Sequence, residues 1–138
     1  MTAKQYLRQA FYLNQRINDS LHDLEELRTK AETIKATAPS ADKIYSRKSS
    51  DAVGDAVAKI VDLENKINIK IDELTEKKHE IEEFISKIYE ENIKIVLLKR
   101  YIHFQEYSEI AGDLGYSIQR IYQLHKAGLD EIQKIRVN

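Results

Sequence analysis

The feature that most constrains the fold is a long heptad pattern in the middle of the chain. Between Val53 and Ile88, apolar residues recur at alternating intervals of four and three, interrupted only by Glu64 and Lys78. This spacing is typical of a helix that packs along one continuous seam. At about 1.5 Å per residue, a helix over residues 51–90 would be about 60 Å long. The seam positions expected to mediate oligomerisation are Val57, Ile60, Ile67, Ile71, Leu74, Ile81 and Ile85.

A second helix is predicted before this seam. Apolar or small residues are spaced by about three and four from Ala3 to Ala36, which places them on one side of a helix. The segment at about 37–50 contains the only proline and many serines, and it is predicted to be a loop. Ser50 or Asp51 is expected to cap the helix that follows. Residues 1–90 are therefore predicted to form a long antiparallel helical hairpin that resembles a coiled coil.

Four apolar residues of the second helix lie off its main seam, namely Val61, Leu63, Ile69 and Phe84. Apolar surface therefore remains after the hairpin has closed. The preferred interpretation is self-association, most simply a dimer in which two hairpins form a four-helix bundle. The alternative is a monomeric hairpin whose additional apolar residues are covered by the C-terminal domain.

Residues 91–138 have the pattern of a three-helix module with a helix-turn-helix. Ser108 is expected to cap one helix, and Gly115 to end it in the left-handed conformation that glycine adopts at least cost. Ser117 is expected to cap the next helix, in which Ile121 and Leu124 face the core. The fold class predicted for the whole chain is therefore all-α, with a helical hairpin followed by a helix-turn-helix module.

The outward side of the last helix carries side chains that suit the major groove of DNA. Glutamine can bind adenine through two hydrogen bonds, arginine can bind guanine, and serine, tyrosine and lysine can contact phosphate oxygens. The predicted DNA-binding residues are Ser117, Gln119, Arg120, Tyr122, Gln123 and Lys126. Residues 95–138 contain six Lys and Arg against five Asp and Glu, a net charge of +1. Because so few phosphates can be neutralised, dimerisation or a partner is expected to supply additional affinity.

The stretch "LLKRYIHFQEYSEIAGDLGYSIQRIYQLHKAGLDEI" resembles the fourth conserved region of sigma factors, a helix-turn-helix that recognises an upstream promoter element and contacts RNA polymerase. The whole chain, including "MTAKQYLRQAFYLNQRIN" and "DAVAKIVDLENKIN", looks like the small sigma-factor-like proteins of phages and prophages. The resemblance implies DNA contacts at Ser117, Gln119, Tyr122 and Gln123. It also makes RNA polymerase a candidate partner.

Composition and patterning argue against several other classes of protein. The chain has no cysteine, and its four histidines are scattered, so neither a metal site nor a cofactor is expected. Its carboxylates are expected on solvated helix faces rather than in an apolar pocket, so no enzyme activity is predicted. No apolar run approaches the length of a membrane span and no signal peptide is recognisable, so a cytoplasmic protein without membrane contact is expected.

The preferred function is a sequence-specific transcription regulator of phage or prophage type, which binds double-stranded DNA through a recognition helix at 117–134 and oligomerises through the hairpin. One alternative is a protein similar to a phage small terminase subunit, which also combines a helix-turn-helix with an oligomerising coiled coil. Another is an adaptor that binds RNA polymerase and never reads DNA.

Overall fold

The protein is all-helical in the part of the chain that the structure, a computed structural model, describes, namely the backbone of residues 1–37 and 43–137. These residues contain no strand, which confirms the all-α prediction. The helices are α1 (Ala3–Leu7), α2 (Gln9–Thr37), α3 (Lys43–Ser86), α4 (Glu91–Tyr101), α5 (Tyr107–Leu114) and α6 (Ile118–Val137).

The loop predicted at about 37–50 is wrong over its second half, because α3 already begins at Lys43. Residues 38–42, which include the only proline, lie outside the described residues. After that proline the sequence has no further proline and no glycine before Gly54, so nothing in it prevents a helix. Ser50 and Asp51 accordingly lie inside α3 and do not cap its start.

The chain divides into two compact units. Unit 1 contains residues 1–14 and 73–138, and unit 2 contains residues 15–72. Residues at both ends of the predicted hairpin belong to the same unit as α4, α5 and α6. The reason is hydrophobic burial, since Leu7, Ile81 and Ile85 share one core with Leu97 and Ile121.

The core of unit 1 joins its N-terminal and C-terminal segments. Its completely buried side chains are Leu7, Ile81, Ile85, Val96, Leu97, Ile110, Ile121 and Ile132. The ring of Tyr6 contacts Phe84 edge to face, with 5.4 Å between ring centroids, and lies 4.5 Å from the Arg136 guanidinium. Arg136 also donates a hydrogen bond to the Met1 carbonyl over 3.4 Å. Phe84 thus packs inside its own chain, against the N-terminal helix α1.

In unit 2, two polar contacts connect α2 with α3. The Lys70 ammonium donates to Ser20 Oγ over 3.5 Å, and Arg28 Nη2 lies 3.6 Å from Glu64 Oε1. As the residue number rises along α2, the number of the partner in α3 falls, which is the order that antiparallel helices produce. Apolar burial accompanies these contacts: Ile17 and Leu24 of α2 and Ile67 of α3 are buried.

The buried side of α3 is rotated slightly from the predicted seam. Val57 and Ile71 remain 49% and 41% exposed, whereas Leu63, which lies off that seam, is half-buried. In unit 1, Ile81 and Ile85 are completely buried and Leu74 packs against the same core. Ile81 and Ile85, which were expected among the oligomerisation residues, thus pack inside their own chain.

Candidate nucleic-acid interface

The turn between α5 and α6 has the predicted glycine geometry. Gly115 follows the last residue of α5 with φ 70° and ψ 27°, a left-handed conformation that costs a side-chain-bearing residue about 1–2 kcal/mol. The next amide, that of Tyr116, donates to the Ala111 carbonyl over 3.1 Å. The Ala111 carbonyl also accepts from the Gly115 amide, so two amides close the end of α5 on one carbonyl. The prediction for Gly115 is confirmed.

The two predicted serine caps have different outcomes. Ser117 Oγ accepts a hydrogen bond from the Arg120 amide over 3.1 Å, immediately before α6, as predicted. Ser108 is not a cap, because α5 begins one residue earlier, at Tyr107, after Glu106 in extended backbone. Serine is preferred to glutamate before a helix, so the sequence predicted the start of α5 two residues too late.

The inward side of α6 is formed by Ile121, Leu124, His125, Gly128 and Ile132, all of which are buried. The burial of Ile121 and Leu124 agrees with the sequence prediction. Gly128 was not recognised in the sequence as a packing residue. A Cβ atom built on it would lie 2.9 Å from Leu97 Cδ1 and 3.0 Å from Ile93 Cγ2, so the absence of a side chain permits the close approach of α4 to α6.

The structure brings the six predicted DNA-binding residues to the solvent-accessible side of α6 and its cap. All six, Ser117, Gln119, Arg120, Tyr122, Gln123 and Lys126, are exposed. Gln119, Gln123 and Lys126 follow one another by four and three residues, so they lie on one side of the helix. In the described ranges no carboxylate lies within 4.0 Å of the cationic groups of Arg120 or Lys126.

Tyr122 lies at the edge of this surface and is 49% exposed. Its ring contacts that of Tyr107 edge to face, with 5.2 Å between centroids. The contact orients the Tyr122 ring while leaving about half of the side chain accessible. Ile118 is also 40% exposed, and it stands in the first turn of α6, where the helix has no acidic residue. An unneutralised helix N-terminus favours a nearby anion.

Behind this surface, His125 forms a buried polar cluster with two tyrosines. The Tyr101 hydroxyl lies 2.5 Å and the Tyr107 hydroxyl 3.3 Å from His125 Nε2. Burial, together with the positive charges of Lys4 and Arg100, lowers the His125 pKa from 6.5 to about 4. Burial also raises the pKa of Tyr101. The sequence did not predict this cluster, because its three residues come from three different helices and show no spacing pattern.

His22 and His79 are exposed to solvent. His22 Nε2 lies 3.2 Å from Glu26 Oε1, and His79 Nε2 lies 3.4 Å from Glu83 Oε1, each within one helix and on its exposed side. Among the residues that the structure describes, no group of three or more histidine, cysteine or carboxylate side chains could hold a metal ion. None of the described helices combines the length and apolarity required to cross a bilayer.

Comparisons with protein-family models, with curated proteins and with solved structures found no match to this chain.

Proposed function

We propose that this chain is a sequence-specific DNA-binding transcription regulator of phage or prophage type. In this proposal α5, the turn at Gly115 and α6 are a helix-turn-helix, with α6 as the recognition helix. The observation that carries the proposal is the division of α6 into a buried apolar side and an exposed side bearing amides and cations. That exposed side holds the donors and acceptors with which a helix reads base edges.

Each exposed residue has a role that its chemistry supports. Gln119 and Gln123 stand one turn apart and present amides able to bind adenine through two hydrogen bonds. Arg120 can bind guanine in the same way, and Ser117 and Lys126 can contact phosphates on either side. Tyr122 is oriented by Tyr107 and can contact either a phosphate or the methyl group of thymine.

A single copy is expected to bind DNA with low affinity, because residues 95–138 have a net charge of only +1. Two reading modules held in one dimer would bind two half-sites and gain the affinity that one lacks. We propose that α2 and α3 form a helical hairpin which pairs with a second copy. The accessible apolar side chains Val57, Val61 and Ile71 of α3, with Leu21 of α2, support such a contact.

DNA binding is tested by selecting sequences from a random double-stranded pool and measuring affinity for the selected site by fluorescence anisotropy. Gln119→Ala with Gln123→Ala should weaken binding to the selected site by about 10-fold or more, and should relax its sequence preference. Gln133→Ala is the matched control, since this exposed glutamine lies about 15 Å further along α6 than Gln123. Selection of no sequence, or equal binding by the double variant, would refute the recognition helix.

The oligomeric state is tested by light scattering over a range of protein concentrations. Val57→Glu with Ile71→Glu should convert a dimer into a monomer, because two charges would be buried in an apolar contact. Lys66→Glu is the control, since Lys66 is exposed and lies on the opposite side of α3 from Val57. A monomeric wild-type chain would contradict pairing, and a ring of many copies would favour the terminase-like alternative.

A further inference from the structure

Unit 1 contains a small cavity that is separate from the exposed side of α6. Its volume is about 130 Å³, and Lys4, Arg8, Phe11, Arg100, Tyr101 and Tyr107 line it. The first three belong to α1, the turn after it and the start of α2, and the others belong to α4 and α5. The cavity is smaller than the pockets of about 300–1,000 Å³ that hold drug-sized ligands.

The lining of this cavity is strongly cationic. Three of its six residues, Lys4, Arg8 and Arg100, are positively charged, and none is acidic. Among the described residues, no carboxylate lies within 4.0 Å of the Lys4 or Arg8 cation. The nearest carboxylate to Arg100 is that of Glu106, whose Oε2 lies 3.9 Å from Nη1 in a side chain that is 81% exposed. Three like charges are therefore close together with little internal neutralisation.

The two arginines of the cavity, Arg8 and Arg100, are held in place by contacts within the chain. The Arg100 guanidinium stacks 4.3 Å above the Tyr107 ring and donates from Nη1 to the Gln105 carbonyl over 2.9 Å. The Arg8 guanidinium lies 5.1 Å from the centroid of the Tyr12 ring. Aromatic stacking restricts both side chains while leaving several N–H donors of each unused. A ligand would bind to donors that are already ordered, which reduces the entropy lost on binding.

We infer that this cavity binds a phosphate group. A tetrahedral phosphate anion matches the size of the cavity, the surplus of positive charge and the several N–H donors of two guanidinium groups. The group can come from the DNA backbone or from free phosphate. Tyr107 connects the cavity to the proposed reading surface, because its ring also contacts Tyr122. The inference does not depend on the proposed function, since inorganic phosphate is itself a sufficient ligand.

The test is a titration of the full-length chain with inorganic phosphate at constant ionic strength, followed by NMR. A phosphate anion beside Lys4 and Arg100, singly charged at the acidic pH where His125 titrates, should offset their charge and raise the His125 pKa. It should also shift the amide signals of Arg8 and Arg100. Arg8→Gln should weaken phosphate binding by about 10-fold, the effect of losing one strong charge-assisted contact. Arg16→Gln, at an exposed arginine further along α2, should leave it unchanged.

Glu106→Gln provides a variant with the opposite expected effect. Removal of the carboxylate that competes for Arg100 should increase phosphate affinity several-fold, without altering a residue that lines the cavity. Phosphate that moves neither the His125 signals nor those of Arg8 beyond a chloride control would overturn the inference. So would equal phosphate affinity in the wild type and the Arg8→Gln variant.

The salt dependence of DNA binding distinguishes the two sources of phosphate. If the DNA backbone occupies the cavity, Arg8→Gln should reduce the slope of log affinity against log salt by about 1. If free phosphate occupies it, the variant should retain the wild-type slope. Phosphate binding in a chain that binds no DNA would refute the proposed function and leave this site intact.

Discussion

The close approach of α4 to α6 at Gly128 permits a stability prediction that can be calculated from the structure. In Gly128→Ala, the new methyl group would lie 2.9 Å and 3.0 Å from the two terminal carbons of Leu97, and 3.0 Å from Ile93 Cγ2. Non-bonded carbon atoms in unstrained contact are separated by about 3.5–4.0 Å. Leu97 is completely buried and Ile93 is buried too, so neither side chain can move aside into solvent.

Two effects of opposite sign determine the result. Overpacking by one methyl group in a tight core costs about 1–3 kcal/mol. Replacement of glycine by alanine inside a helix recovers about 0.5–1 kcal/mol. The expected net loss is about 1 kcal/mol of unfolding free energy, which corresponds to a fall in Tm of about 2–8 °C.

Urea denaturation followed by far-UV circular dichroism measures this loss directly. Gly112→Ala is the matched control, because Gly112 lies in α5 and a Cβ atom there would meet no atom within 4 Å. That variant should gain about 0.5–1 kcal/mol. A Gly128→Ala chain as stable as the Gly112→Ala chain would refute the packing argument, since propensity alone would then explain both variants.

Three further predictions concern the turn, the cap and the buried histidine. Gly115→Ala should lose about 1–2 kcal/mol because the residue has φ 70°, and Gly115→Asn should lose less; urea denaturation that found both as stable as wild type would contradict this. Ser117→Ala should lose about 1 kcal/mol by the same assay, whereas the exposed Ser108→Ala should change stability by less than about 0.5 kcal/mol. Because the folded state lowers the His125 pKa to about 4, the unfolded state binds an additional proton between that value and 6.5, so stability should fall as the pH falls through this window. The loss approaches about 3 kcal/mol at the acidic end, and it should be largely absent from His125→Gln but present in the exposed His79→Gln; parallel pH profiles for both variants would refute it.

Local signals were sufficient to predict the turn and the helix that follows it. Gly115 and Ser117 act on the backbone within three or four residues of themselves, and the structure has both in the predicted roles. Apolar spacing in α6 likewise identified Ile121 and Leu124 as buried. Such features are predictable because one helix, with its caps, contains all the residues that determine them.

For α3, the spacing of apolar residues was not sufficient to predict which side of the helix is buried. Two adjacent heptad seams share Ile60 and Ile67; one continues through Val57 and Ile71, and the other through Leu63. Apolar residues occupy both, so spacing alone cannot select between them. Which seam is buried depends on the position of the helix that packs against α3. That position depends in turn on contacts between residues far apart in sequence. The packing of α1 against α6 was missed for the same reason.

The two sides of α6 make stability separable by mutation from the proposed DNA binding. A buried residue such as Gly128 or Ile132 should influence binding only through folding, whereas Gln119 and Gln123 are exposed. A substitution that abolishes DNA binding while leaving the urea midpoint unchanged must therefore act on the exposed side. Tyr107 is the instructive exception, because it contacts Tyr122, His125 and Arg100 together. Changes at Tyr107 should alter stability, the His125 pKa and DNA affinity in one step, and only Tyr107→Phe, which retains the ring, separates the loss of the hydroxyl from the loss of packing.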